Sequence, residues 1–287
     1  MADFAHTHSQ WSDTWSRLRA DAMAMTSLVV LGLMLLLALL TPWVAPYSYS
    51  AQDLALGATS PSWQHWLGTD LFGRDLLTRI LYGSRVSLAV GALATVVALT
   101  IGVAWGTIAG YAGGRVDAWM MRWVDILYAL PFALFIILLT VVFGRSLLLL
   151  CLAIGCVEWL TMARIVRGQV MSVRRQAYIE AAITLGLPPW RIMAVHVIPN
   201  LLGTVIVYTT LTIPNVILLE SFLSFLGLGV QPPESSWGVL IAHGVETLEE
   251  YPGLLIWPAL FLTVTLFCLN FFGDGLRDAL DPRVAAQ

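Results

Sequence analysis

The side chains able to do chemistry are few in this sequence, and their spacing argues against catalysis. All fifteen basic residues are arginine, and no lysine occurs. A phosphate-binding loop of the G-x-x-x-x-G-K-[ST] kind needs its lysine, so the chain cannot hydrolyse ATP in that way. Schiff-base chemistry is excluded with it. Ser235, Ser236, His243 and Glu246 could be drawn as a hydrolytic set, yet they share one loop with nothing to fix their geometry. No nucleophile elbow, H-E-x-x-H or paired-cysteine motif is present. Cys151, Cys156 and Cys268 fall inside apolar runs and read as small core residues. His243 has no second ligand at metal spacing, so no metal site is expected.

The polar residues worth explaining are those that interrupt apolar runs. With 58% hydrophobic and only 11% charged residues, against roughly 25% charged in soluble domains, the chain needs a non-aqueous solvent. Six runs can cross a hydrocarbon core, which takes about 20 helical residues. They are Met23–Ala45, Val86–Ala109, Trp119–Val142, Leu147–Ala163, Leu201–Leu219 and Leu254–Phe272. No period-2 barrel pattern appears, so the expected fold is all-α and polytopic with six transmembrane helices. With a cytoplasmic N-terminus, eleven arginines fall in inside segments and four (Arg74, Arg79, Arg85 and Arg145) outside. That bias places both termini in the cytoplasm. The expected organisation is a cytoplasmic segment 1–22, a first span 23–45, an external segment 46–85 with an amphipathic helix, a core 86–273 and a cytoplasmic tail 274–287.

Within the spans, Asp125 stands three residues after Arg122, and an i,i+3 ion pair would account for it. Pro131 is expected to kink the same helix. Glu158 cannot face lipid cheaply; it either pairs across a helix interface or meets passing substrate. Thr204, Tyr208, Thr212 and Asn215 fall within an arc of about 80° on the fifth run. That stripe is either a hydrogen-bonded helix seam or the wall of an aqueous path. Pro214 frees a carbonyl beside it, and Glu220 follows before the small-residue run SFLSFLGLG. Outside, Leu71, Leu76, Leu77, Ile80 and Leu81 recur at helical spacing, suggesting an amphipathic helix on the outer membrane surface or against the other loops. Gly68-Thr69-Asp70 looks like a turn with a helix cap before it. Asp70, Arg74 and Asp75 would be solvated pairs or a docking element for an external partner. Glu246, Glu249 and Glu250 make the second outer segment acidic.

The longest polar interruption is Arg164–Asn200, which the topology puts in the cytoplasm. It reads as two short helices around a Gly-Leu-Pro-Pro turn, with Gly186 where a C-terminal cap belongs. Ala177, Ala181 and Ala182 are small enough to let another protein approach, and the flanking arginines would orient it.

Glu180-Ala181-Ala182, Gly186 and the later Pro199 resemble the EAA loop of ABC importer permeases. His196 and Ile198 depart from the general pattern, where aliphatic residue and leucine are usual. HWLGTDLFGRDLL, YAGGRVDAWMMRWVDILYALP, MARIVRGQ, ESFLSFLGLGVQPPESSWG and NFFGDGLRDALDP extend the likeness to the C-type permease subunit of dipeptide and oligopeptide importers. The resemblance implies a type I ABC importer permease fold in a bacterial inner membrane and half of a translocation pathway for peptides. It makes 164–200, with Glu180, Ala181, Ala182, Gly186, Arg191 and Pro199, the loop that couples to an ATPase. The implied partners are a second homologous permease subunit, two ATP-binding subunits, an extracytoplasmic substrate-binding protein and membrane lipid, with no nucleic acid. No cofactor would be bound by this chain; ATP and Mg would be used by the partner ATPases. Importers of nickel, glutathione or antimicrobial peptides share this subunit type. An ion-coupled secondary transporter, with Glu158 or Glu220 carrying the ion, is the rival from another class.

Overall fold

In lipid an apolar segment must satisfy its own backbone amides, and helices do so one segment at a time. The computed structural model describes residues 10–280, and among these the chain is helical with no extended strand. The helices are α1 (Gln10–Ala20), α2 (Ala22–Val44), α3 (Leu76–Ala112), α4 (Gly114–Tyr128), α5 (Phe132–Phe143) and α6 (Leu147–Val173). They continue as α7 (Ala177–Thr184), α8 (Pro189–Ile192), α9 (Ile198–Phe225), α10 (Trp237–Glu246) and α11 (Gly253–Leu280). Five are long and apolar enough to cross a membrane, and the bent pair α4–α5 makes a sixth span when counted as one. The expected break falls at Pro131: α4 stops at Tyr128, Pro131 precedes the first turn of α5, and the two axes differ by 80°. Residues 1–9 of the N-terminal segment and 281–287 of the C-terminal tail lie outside the described residues. The rest of that tail continues α11.

The centre of the molecule is the pairing of α3 with α6. Lipid offers no hydrophobic drive between helices, so small residues that allow close approach hold them together. Gly102, Gly106 and Gly110 recur every fourth residue of α3 and meet Met162, Ala163, Val166 and Val170 of α6. A Cβ at Gly106 would lie 2.5 Å from the Ala163 carbonyl oxygen, and one at Gly155 of α6 would lie 2.6 Å from Val97 Cβ. α9 packs on both helices, through Val216 and Leu223 beside Val90, Ala94 and Ile154. α11 closes the other side with α2 and α10, over Leu76, Ile80, Ile217, Trp237 and Leu240. α1 and the first turn of α2 lie against the C-terminal end of α11 through Leu18, Ala24 and Ala279.

The external amphipathic helix differs from expectation. Residues 76–85 are the opening turns of the 37-residue α3, with Asp75 as its cap through a 2.8 Å bond from the Thr78 amide. The charges that suggested a wetted surface instead neutralise one another inside. Asp70 Oδ2 accepts from Arg74 Nε at 2.7 Å and Arg79 Nη1 at 2.5 Å, while its Oδ1 accepts from the Phe72 and Arg74 amides. Asp75 Oδ1 meets His65 Nδ1 at 2.9 Å, and the His65 ring stacks on Tyr47. Asp70 therefore turns the chain just ahead of α3 and does not cap it. All four acidic and arginine side chains are buried.

Two outcomes follow from this packing. Gly106→Leu forces α3 away from the α6 backbone, and overpacking of this kind costs about 1–3 kcal/mol. The expected result is a lower thermal midpoint of the purified protein, with Gly32→Leu, where a Cβ meets nothing within 4 Å, as the neutral control. Asp70→Ala leaves two buried guanidinium groups without their carboxylate, a change that costs about 3–5 kcal/mol. It should lower the midpoint more than Arg85→Ala, whose exposed side chain forms no ion pair among the described residues.

Candidate functional site

The loop expected on the cytoplasmic side is built from the end of α6 to the start of α9. α7 stops because Gly186 takes the left-handed conformation, φ +73°, which L side chains enter at a cost of about 1–2 kcal/mol. The Leu187 amide donates to the Ala182 carbonyl at 3.2 Å and the Gly186 amide to Ile183 at 3.0 Å, closing the helix end with a paired cap. Pro188 and Pro189 then set the entry to α8. Residues 193–197 form a π-turn that runs directly into α9.

The loop seats itself on the transmembrane bundle by one face only. Ile179 and Ala182 of α7, with Ile192 and Val197, pack on Met162, Val166 and Val170 of α6 and Leu201 of α9. Ala182 is thus small for a different reason than expected: it lets α7 lie on its own bundle and offers nothing to another protein. The opposite face carries Tyr178, Ala181, Ile183 and Leu185 of the α7 region with Trp190 of α8. Leu185 is 80% exposed and Trp190 67%. Glu180, Arg191 and Pro199 are also exposed, and the Glu180 carboxylate makes no hydrogen bond or ion pair among the described residues.

Of the five arginines in this stretch, three turn inward. Arg167 donates to both carboxylate oxygens of Asp117 on α4, Nε–Oδ1 2.5 Å and Nη2–Oδ2 2.6 Å. Arg164 Nη2 donates to Asp125 at 2.7 Å and stacks over the Tyr128 ring. Asp125 therefore pairs across to α6 and not with Arg122 along its own helix. Arg174 reaches the Ala112 carbonyl at 3.4 Å and lies over Tyr111. Only Arg175 and Arg191 remain wholly outward. Asp117 escaped the sequence reading altogether, although Arg164 and Arg167 are spaced to share one helical face.

Along α9, Thr204, Tyr208 and Thr212 are half-buried and Asn215 is exposed. Thr212 donates to the Tyr208 carbonyl of its own helix at 2.7 Å. None of the four bonds to another helix among the described residues, so they form no seam inside the subunit. Pro214 is accommodated within a helix that continues to Phe225. Glu158 is half-buried with no ion pair or hydrogen bond among the described residues. Glu220 lines no path. It is fully buried, and Oε1 accepts from Ser224 at 2.6 Å while Oε2 accepts from Ser87 at 3.2 Å. Ser236, the cap of α10, donates to Ser224, and the Trp237 amide donates to Ser87. This serine cage joins α3, α9 and α10, a role that the density of serine around Glu220 signals only in hindsight. Asp70, Arg74 and Asp75 present no free face to an external partner, because each is spent on the buried cluster at the start of α3.

Comparison with known proteins agrees with this architecture. A family model described as binding-protein-dependent transport system inner membrane component matches residues 102–286. A second, the N-terminal TM domain of oligopeptide transport permease C, matches residues 9–61. The oligopeptide transport system permease protein OppC of Escherichia coli K12 is 49% identical over 96% of this chain and 92% of its own length. OppC of Haemophilus influenzae is 47% identical over 96% and 89%, and the dipeptide transport system permease protein DppC of Bacillus subtilis 44% over 96% and 87%. Among solved structures, a chain of the MetNI methionine ABC transporter superposes with a TM-score of 0.59 at 16% identity. That match covers 72% of this chain and 96% of the other, and shows the shared fold. The chain belongs to the binding-protein-dependent transport system inner membrane component family, as a non-catalytic, multi-pass permease subunit of an ABC transporter in the branch of the oligopeptide and dipeptide permease C proteins.

Proposed function

We propose that this chain forms half of a transmembrane pathway for the uptake of oligopeptides or dipeptides, driven by separate ATPase subunits docked on its cytoplasmic loop. The observation that carries the docking is the outer face of α7 and α8. Large apolar side chains stand in water there, Leu185 at 80% and Trp190 at 67% exposure, on a segment whose other face is fully used. Such a patch marks an interaction surface. Glu180, Arg191 and Pro199 stand around it and give a partner polar contacts that fix its register. The peptide class rests on the printed names of relatives matched over nearly their full length.

The assembly contains a second homologous permease subunit, two ATP-binding subunits that use ATP and Mg, and an extracytoplasmic binding protein. It lies in a bacterial inner membrane with both termini cytoplasmic, as the arginine bias supports. The stripe Thr204–Asn215, half-buried apart from the exposed Asn215 and unbonded to any other helix among the described residues, supplies polar groups to the shared pathway. When the ATPases close on ATP they carry α7 with them. Because α7 is seated on α6 and α9, the displacement reaches the bundle directly.

Gly186→Val puts a β-branched residue in the left-handed region, at a cost of about 1–2 kcal/mol, and displaces the docking face. Glu180→Lys reverses the charge beside it. In the complete transporter reconstituted with its binding protein, both variants should hydrolyse ATP while peptide uptake falls. Wild-type uptake by both would remove the loop from the mechanism. A separate check uses the chain reconstituted without any ATPase: peptide flux driven by a proton or sodium gradient would make it a secondary transporter, and none is expected.

A further inference from the structure

The inward-turned arginines of α6 have a common target. Arg174 meets Tyr111 and Ala112 at the end of α3, Arg167 meets Asp117 in the first turns of α4, and Arg164 meets Asp125 and Tyr128 at its end. Between the first two contacts the chain reverses at Gly113 and Gly114, both with positive φ. Every contact therefore falls on one corner, residues 111–128, and every donor stands on the last turns of α6 or, for Arg174, on its C-cap.

α4 packs on α3 and α6 through Val124 and Met121, beside Ala98, Trp159, Leu160 and Ala163, and its Met120 carbonyl accepts from the Trp105 indole at 3.3 Å. Asp117, Met120 and Val124 are its buried residues, and Val116, Trp119, Trp123 and Ile126 are exposed. Partly exposed ion pairs contribute little to stability, but a forked guanidinium holding both oxygens of a carboxylate fixes direction as well as distance. Asp117 is held by such a fork, and Asp125, toward the other end of the same short helix, by a single contact from Arg164. One anchor would leave a pivot; two define an axis.

We propose that Arg164, Arg167 and Arg174 are positioning residues for transport, making the α3–α4 corner travel as one piece with α6 when the cytoplasmic loop moves. This rests on the loop being the ATPase-driven element. The corner then carries the displacement of the α7–α8 segment across to α4 through these arginines.

The test uses the complete transporter in lipid, with Cys151, Cys156 and Cys268 replaced by serine. Spin labels at Val116→Cys on α4 and Gln169→Cys on α6, both exposed, report the distance between the two helices with and without trapped ATP. The expected result is one narrow distance, unchanged by ATP. A distance that changes with ATP in the otherwise unaltered protein overturns the proposal. In the label-free transporter, Arg167→Gln and Asp117→Asn should lower peptide delivered per ATP hydrolysed while hydrolysis continues, and the exchange Arg167→Asp with Asp117→Arg should recover it. A purely structural pair would lower the yield of complex and both activities together, and that result, or unchanged transport per ATP in Arg167→Gln, also overturns it. Gly186→Val serves as the reference: if it too transports normally, the fault lies with the loop assignment and not with the arginines.

Discussion

The constraint on which the rest depends is the backbone-to-backbone approach of α3 and α6. Three glycines four residues apart let the helices meet where any side chain would collide with a carbonyl. In a solvent as apolar as leucine, this contact supplies the cohesion that hydrophobic burial supplies in water. Its consequences extend in both directions along the pair. Outward, α3 carries the buried Asp70 cluster and one serine of the Glu220 cage. Inward, α6 carries the arginines and then the loop.

Charge is used differently at the two ends of this pair. At the start of α3 the ions are buried, and Asp70 answers two guanidinium groups at once, so removing one member leaves an uncompensated charge. At the other end the pairs are partly wetted, with Arg164 and Asp125 at 40% and 65% side-chain exposure, and they set orientation more than stability. The same residue types therefore hold a structure together in one place and aim it in another.

The spans were legible because each needs about 20 apolar residues and nothing else in the chain competes for that signal. The break at Pro131 was legible for the same local reason, a missing amide. What local pattern missed was partnership at a distance. Asp125 had a plausible neighbour in Arg122, yet its partner is Arg164, brought close by tertiary packing. The helix expected on the membrane surface was misplaced because its arginines and aspartates looked solvated; mutual neutralisation lets them lie inside and lets α3 run on unbroken. In the loop, Gly186 was placed by its turn chemistry, whereas Ala182 could be assigned to the inner face only once α7 was seen on α6.

The cage around Glu220 bears on where this subunit can yield. Its hydroxyls come from α3, from α9 and from the cap of α10, and together they surround an acid that no basic residue accompanies among the described ion pairs. Parting any of these helices at that level strips hydrogen-bond donors from a fully buried acid. At this level α3, α9 and α10 are therefore tied through one carboxylate, and separating any of them costs hydrogen bonds that the others cannot supply.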